Sequence, residues 1–390
     1  MRHPWYRLLV VVPVVLALLL PAAVASAEGE SPIELRWQAL GGEAGVLGAP
    51  VAEEYDVPGG RARDFAGGRV YLAAGAAEAW EVLPPVLQRY LDTGGPAGAL
   101  GLPTAAAAGL GPPAPPTAPV TAPAPGTPEP LAQAFTAGRV YWSAATGPLV
   151  LTGPVLARYL QIGGPASYLG LPTSEVTAVA AGFRATFVGG TVDQTAAGAT
   201  VVTGRWLPSV LRVSAASLPY TYRAGCPVRP ASLRLVRMPY YDWNDVPRLG
   251  DLVVRASAVG AMQRVFRRAF DARFPIRKMR PVDVYRGNDV VSMAADNTSA
   301  FNCRKVTGNP YRLSQHSYGN AIDINTVENP YVTRSRVYPS TGRAYLSRAK
   351  VRKGMITRSS PIARAMAAER WLWGARWSHP DYQHFSANGG

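Results

Sequence analysis

The sequence predicts a mixed helix-and-strand protein of at least two unlike domains, and three observations carry that prediction. A chain of 390 residues is too long for one ordinary core. Its first half copies itself, whereas nothing after about Arg212 does. Charge divides the same way: 28 of the 40 Lys and Arg follow residue 215, with only 11 of the 25 Asp and Glu. The C-terminal part is therefore strongly basic and the remainder close to neutral.

The chain opens with Arg2, His3 and Arg7 ahead of an apolar run from Leu8 to Leu20, then Ala25-Ser26-Ala27. That order reads as a secretory signal over residues 1–27, cleaved near Ala27. The run is short for a bilayer span and is interrupted by Pro13. Export makes Cys226 and Cys303, the two cysteines, an expected disulfide. On the chain-entropy model, closing so long a loop stabilises the fold by about 4 kcal/mol.

Between Ile33 and about Trp206 three segments repeat: "RWQALGGEAGVLGAP", "LQRYLDTGGPAGALGLP" and "LARYLQIGGPASYLGLP". From the aromatic residue onward they align without gaps and end at Pro50, Pro103 and Pro172. Each is followed by a Phe-x-x-Gly-x-Val stretch starting at Phe65, Phe135 and Phe187. The pattern predicts a short amphipathic helix, a Gly-Gly stop, a turn through Leu-Gly-x-Pro, and a hairpin. One unit is too small to hide its apolar face, so neighbouring units are expected to stack. A Pro/Ala/Thr-rich insertion over 111–130 has the composition of a solvated spacer. The expected divisions are a repeat domain over 28–210, a linker and disulfide-tethered lead-in over 211–235, and a third region over 236–390.

In that third region, apolar residues between Leu252 and Phe270 recur at helical spacing, and "VDVY" from Val282 to Tyr285 alternates like a strand. Ser360-Pro361 supplies an N-cap and first residue for another helix. Beyond the signal there are three histidines: His316, His379 and His384. His316 precedes Asp323 by seven residues, and Asp381 precedes His384 by three. Gly319 and the alternation Ala321-Ile322-Asp323-Ile324-Asn325 predict a turn leading into a strand, with Ile322 and Ile324 on its core face. A catalytic zinc takes three protein ligands and keeps a fourth position open. His316, Asp323 and His384 form a sufficient set, leaving Asp381 as a base and His379 at the rim. No His-Glu-x-x-His helix signature occurs. Taken alone, two histidines and two aspartates fit ordinary turn and core positions equally well.

Context decides between those readings. "S-x-H-x-x-G-x-A-x-D" (Ser314 to Asp323), "FNCR" (Phe301 to Arg304) and "WGARWSHPDYQHF" (Trp373 to Phe385) occur in order. Over roughly Met238 to Phe385 the chain resembles the zinc D-alanyl-D-alanine carboxypeptidase and L-alanyl-D-glutamate endopeptidase family, including its VanY-type members. The repeats resemble the LGFP repeat of secreted actinobacterial proteins, seen here as Leu47–Pro50, Leu100–Pro103 and Leu169–Pro172. All three copies lack the family's phenylalanine at the third position.

The peptidase resemblance implies an α+β fold of the Hedgehog/D,D-peptidase type, a small antiparallel sheet flanked by helices. It also implies zinc on His316, Asp323 and His384, with Asp381 as catalytic carboxylate. Arg304 matches an arginine that supports the oxyanion or a substrate carboxylate, with a structural salt bridge as the alternative. Ser314 corresponds either to a substrate contact or to a turn cap. Trp373, Trp377 and Tyr382 are candidates for the cleft wall or for buried packing. Aspartate at position 381, where D,D-cleaving members commonly carry glutamate, tilts the expectation toward an endopeptidase. The expected partners are peptidoglycan stem peptides and anionic wall polymers met by the repeats or the basic surface. Nucleic acid is not expected, because no binding motif occurs and export argues against it.

Overall fold

A computed structural model describes residues 30–111, 129–307 and 309–389. The signal over 1–27 and most of the Pro/Ala/Thr insertion lie outside them. Among the described residues, no helix is long and apolar enough to cross a membrane.

The three repeated segments share one local arrangement. Helices α1 (Pro32–Ala39), α2 (Val86–Asp92) and α3 (Gly153–Gln161) each end at a Gly-Gly pair. The first glycines, Gly41, Gly94 and Gly163, have φ of 99°, 96° and 113°, a left-handed turn that favours glycine. The aromatic residue of each helix then hydrogen-bonds the carbonyl of the tetrapeptide glycine. Trp37 Nε1 donates to Gly48, Tyr90 Oη to Gly101 and Tyr159 Oη to Gly170, at 2.9, 2.8 and 2.6 Å. Pro50, Pro103 and Pro172 bridge in turn to Phe65, Phe135 and Phe187. Each hairpin belongs to a four-stranded antiparallel sheet, and there are three such four-stranded sheets among the described residues. The units interlock through their aromatics: Tyr90 stacks on Phe135 at 4.7 Å, and Tyr159 packs on Phe187 at 4.4 Å. Each helix thus covers the sheet that follows it.

The third of these sheets abuts the C-terminal region. Gly204 N donates to Tyr241 Oη at 3.0 Å, Trp206 packs on Phe270 at 5.6 Å, and Val246 joins the apolar cluster around Tyr159 and Phe187. Strand Ser209–Arg212 then pairs antiparallel with Leu233–Tyr241, which pairs with Pro247–Arg255. The disulfide Cys226–Cys303 joins the intervening segment to Phe301–Arg304.

Inside this region Val236, Met238, Leu252 and Val254 face helices α4 (Val259–Asp271) and α6 (Pro361–Ala368). The short helix α5 (Asp289–Ala294) lies between them in sequence. A three-stranded antiparallel sheet, ordered Ala321–Asp323, His384–Ser386, Leu372–Trp373, buries Ile322 and Phe385 in the same core. The class is α+β with small antiparallel sheets and few helices, as the sequence predicts at that level.

Two local expectations are corrected. The helix predicted from Leu252 starts only at Val259, because Leu252–Val254 pair with Leu235, Val236 and Arg234 across the hairpin. "VDVY" is one turn of 3-10 helix, not a strand. There Asp283 turns its carboxylate onto the backbone N–H groups of Tyr220 and Thr221, and Arg286 takes a left-handed φ of 53°. Capture of backbone donors more than 60 residues away in sequence outcompetes the local alternation. Ser360 and Pro361 do begin a helix.

Two predictions follow from the packing. Reducing the disulfide, or replacing both cysteines with serine, is expected to lower stability by about 2–5 kcal/mol in denaturant titration. Glu328 is buried beside Asp296, and burial first and Asp296 second push its carboxyl up to about 8. With the folded value raised, its contribution is complete below the ordinary carboxylate range and disappears as pH rises through about 8. The melting temperature is expected to fall from about pH 4.5 to about pH 8 and to level off above that. Glu328→Gln is expected to flatten that fall, by on the order of 1–2 kcal/mol.

Candidate metal centre

The site is assembled by strand register. Asp323 lies directly opposite His384, and residues facing each other across an antiparallel pair point to the same side. Ile322 and Phe385, one step along, point into the core. His316 comes from a separate 3-10 turn, Gln315–Tyr318, capped by Ser314, whose hydroxyl accepts from His316 N.

The segment Ser299–Ala300 ties the two parts together. Ser299 exchanges backbone hydrogen bonds with Asp323 at 3.0 and 2.9 Å, and Ala300 O lies 2.5 Å from His316 Nδ1. Because that partner is a carbonyl, Nδ1 carries the hydrogen and Nε2 turns its lone pair inward.

His316 Nε2 is 3.1 Å from Asp323 Oδ2 and 3.2 Å from His384 Nδ1, which lies 3.0 Å from Asp323 Oδ1. Three electron-rich atoms so close together repel unless positive charge sits among them, on an imidazole or on a bound cation. Their spacing suits a tetrahedral cation with bonds of about 2.0–2.1 Å, whose ligand atoms stand about 3.3 Å apart. All three residues are buried, and they are the one group of metal-ligating side chains so arranged among the described residues. The donor set, two imidazoles and a carboxylate, fits zinc and tolerates other divalent ions. Burial opposes ionisation of Asp323, yet His316 and His384 hold its carboxyl well below the usual range.

Asp381 lines the same cavity of about 560 Å³. It is 8% exposed and its Oδ1 is buried without a hydrogen-bond partner. Burial and the charge of Asp323 push its carboxyl up to about 8. Gly374 lets this segment approach, since a Cβ there would meet Asp381 O at 2.8 Å. A cation held beside it would favour the ionised form and draw the value back down.

Arg304 reaches the cavity with its guanidinium 2.8 Å from Asp289 Oδ2. Thr307 Oγ1 donates to the same oxygen at 2.7 Å. The salt-bridge alternative is therefore the arrangement present, on the cavity wall. Ser314 both lines the cavity and caps the His316 turn. Trp377 lines it and packs on His384 at 5.4 Å, while exposed His379 stands at the rim. Tyr382 is not on the cavity wall: its ring packs against Arg348 at 4.4 Å. It neighbours Asp381, so alternation along an extended segment turns it away. Trp373 is packing, stacked on Phe385 at 5.8 Å. Asn325, expected beside Asp323, bonds the carbonyls of Pro275 and Gly354 inside the fold.

Asp289, Tyr331 and Gln383 also line the cavity, and sequence reading passed over all three. A carboxylate in the first turn of a helix reads as a partner of the helix dipole, so Asp289 carried no separate signal. Gln383 lies inside the "HPDYQHF" motif that drew attention to its neighbours.

The buried His-Asp-His cluster could hold a metal ion, with a further carboxylate beside it in the same cleft, an arrangement compatible with metal-assisted hydrolysis. Residues 307–387 match the family model described as D-alanyl-D-alanine carboxypeptidase, and residues 47–98 and 116–167 match that of the LGFP repeat. The peptidase match spans His316, Asp323, Asp381 and His384 and begins after Arg304 and Asp289. It supports a peptidase acting on peptidoglycan, and with the repeats an extracellular or wall-associated protein. No curated protein matches the chain.

The expected metal content is one equivalent of divalent ion per chain by elemental analysis. Asp323→Ala or His384→Ala should reduce it to background, and Asp381→Asn should keep it.

Proposed function

We propose that this chain is a secreted zinc peptidase that hydrolyses amide bonds of peptidoglycan stem peptides, with residues 236–390 carrying the chemistry and residues 28–210 contacting the wall. The signal over residues 1–27 would be removed on export. The observation that supports this most directly is the convergence of His316, Asp323 and His384 beside an unpartnered, buried Asp381 in one open cleft.

His316, Asp323 and His384 would hold the metal. When bound, zinc supplies a Lewis acid that polarises the amide carbonyl and acidifies water. Asp381 takes the proton of the attacking water and returns it to the leaving amine. For that, the carboxyl must start ionised, which a cation held beside it would favour against the burial and the Asp323 charge that push it up. Arg304, held by Asp289, presents positive charge to the oxyanion or to a substrate carboxylate. Ser314 sets the His316 turn and offers its hydroxyl to substrate, and Trp377 walls the cleft.

Aspartate at position 381 favours the L-alanyl-D-glutamate bond. The description of the matching family favours removal of terminal D-alanine as the second reading.

Digestion of purified peptidoglycan followed by mass spectrometry separates them. Peptides that begin at D-glutamate are expected, against free D-alanine for the carboxypeptidase. Chelator should abolish either product, and Asp381→Asn should lower the rate by about 10²–10⁴-fold. A wall digest with no chelator-sensitive product would overturn the peptidase reading. For the repeats, residues 28–210 are expected to sediment with cell walls.

A further inference from the structure

A second cavity of about 530 Å³ adjoins the first, sharing Thr307, Asn309, Tyr331 and His379 in its wall. Its far side is the turn of a hairpin in which Tyr331–Val332 pairs with Val337–Tyr338. Arg334 and Arg336 sit on that turn, both exposed. Neither guanidinium forms an ion pair among the described residues, unlike Arg304 on the wall of the first cavity, which is held by Asp289. No carboxylate lines this second cavity. Two uncompensated guanidiniums facing a polar hollow make a site for anionic oxygen.

The turn is held rigidly. Thr333 N donates to Arg336 O at 2.8 Å, and Arg336 N donates to Thr333 Oγ1 at 2.9 Å. The hairpin is also fastened to the segment that carries Asp381. Tyr331 bridges to Asp381, Val332 N donates to Pro380 O at 2.9 Å, and Tyr382 N donates to Pro330 O at 3.3 Å. Arg334 lies three residues beyond Tyr331, the partner of Asp381, on the turn that follows strand Tyr331–Val332, so its backbone is at most about 10 Å away. That span equals about three residues of extended peptide.

We propose that Arg334 and Arg336 form a specificity subsite that binds a free carboxylate of the peptide substrate within about three residues of the bond that is cut. The inference rests on the peptidase reading for the identity of the ligand, and on the cavity and its unpaired arginines for the site itself. It predicts preference for stem peptides whose acidic groups are free over those in which they are amidated.

The test uses two synthetic stem peptides, one with a free carboxylate at that distance and its carboxamide twin. Binding to the purified chain is measured by isothermal titration, and cleavage by chromatography. The carboxylate peptide is expected to bind about tenfold more tightly. In Arg334→Gln/Arg336→Gln its dissociation constant should rise to that of the twin, while binding of the twin stays unchanged. A control, Arg358→Gln/Arg364→Gln, removes the same charge elsewhere on the surface and should leave the preference intact.

Equal affinity of the native chain for both peptides would overturn the subsite, as would a preference that survives the double substitution or that the control abolishes equally. A preference lost only in Arg334→Gln/Arg336→Gln, with neither peptide cleaved, supports the subsite and refutes the peptidase reading.

Discussion

The candidate site depends on the register in which Ala321–Asp323 meets His384–Ser386. With Asp323 opposite His384, both ligating side chains leave the sheet on the cleft side while Ile322 and Phe385 enter the core. A slip of one residue would turn every one of these side chains to the opposite face. Apolar burial of Ile322 and Phe385 therefore holds the polar pair in place. The third donor is brought in by Ser299–Ala300, which bonds to the Asp323 backbone on one side and to His316 Nδ1 on the other.

Such a site holds electron-rich atoms close enough to repel one another. His316 Nε2, His384 Nδ1 and Asp323 converge, and Asp381 keeps an unpartnered oxygen. Local conflict of this kind is tolerated because the surrounding packing over-determines it, and it is characteristic of sites that act on a ligand. The rest of the region is unexceptional by comparison: an apolar hairpin face against two helices, and a disulfide anchoring the segment that leads to Arg304.

The N-terminal half solves a different problem with one device used three times. A helix aromatic bonded to a tetrapeptide glycine fixes the angle at which each helix leaves its turn. The same ring then packs on the phenylalanine of the hairpin that follows. Because the third sheet shares Val246 with the C-terminal hairpin, the repeat array ends against the peptidase-like region and not in a free tail.

Much of this was legible in the sequence because it is local or repeated. The Gly-Gly stops, the tetrapeptide turns, the signature residues His316, Asp323, Asp381 and His384, and the cysteine pair each announce themselves within a few positions or by copying. The start of helix α4 and the "VDVY" turn depart from their local patterns because a partner far along the chain, Leu235 in one case and the Tyr220–Thr221 backbone in the other, decides the conformation. Asp289, Tyr331, the outward turn of Tyr382 and the unpaired arginines of the hairpin turn had no signal at all. Whether a carboxylate meets a guanidinium, or a ring faces a cleft, is set by elements distant in sequence, and only the tertiary structure brings those together. The sequence by itself determined which residues have the chemistry to hold a metal; the packed strands decided which of them face one another across the cleft.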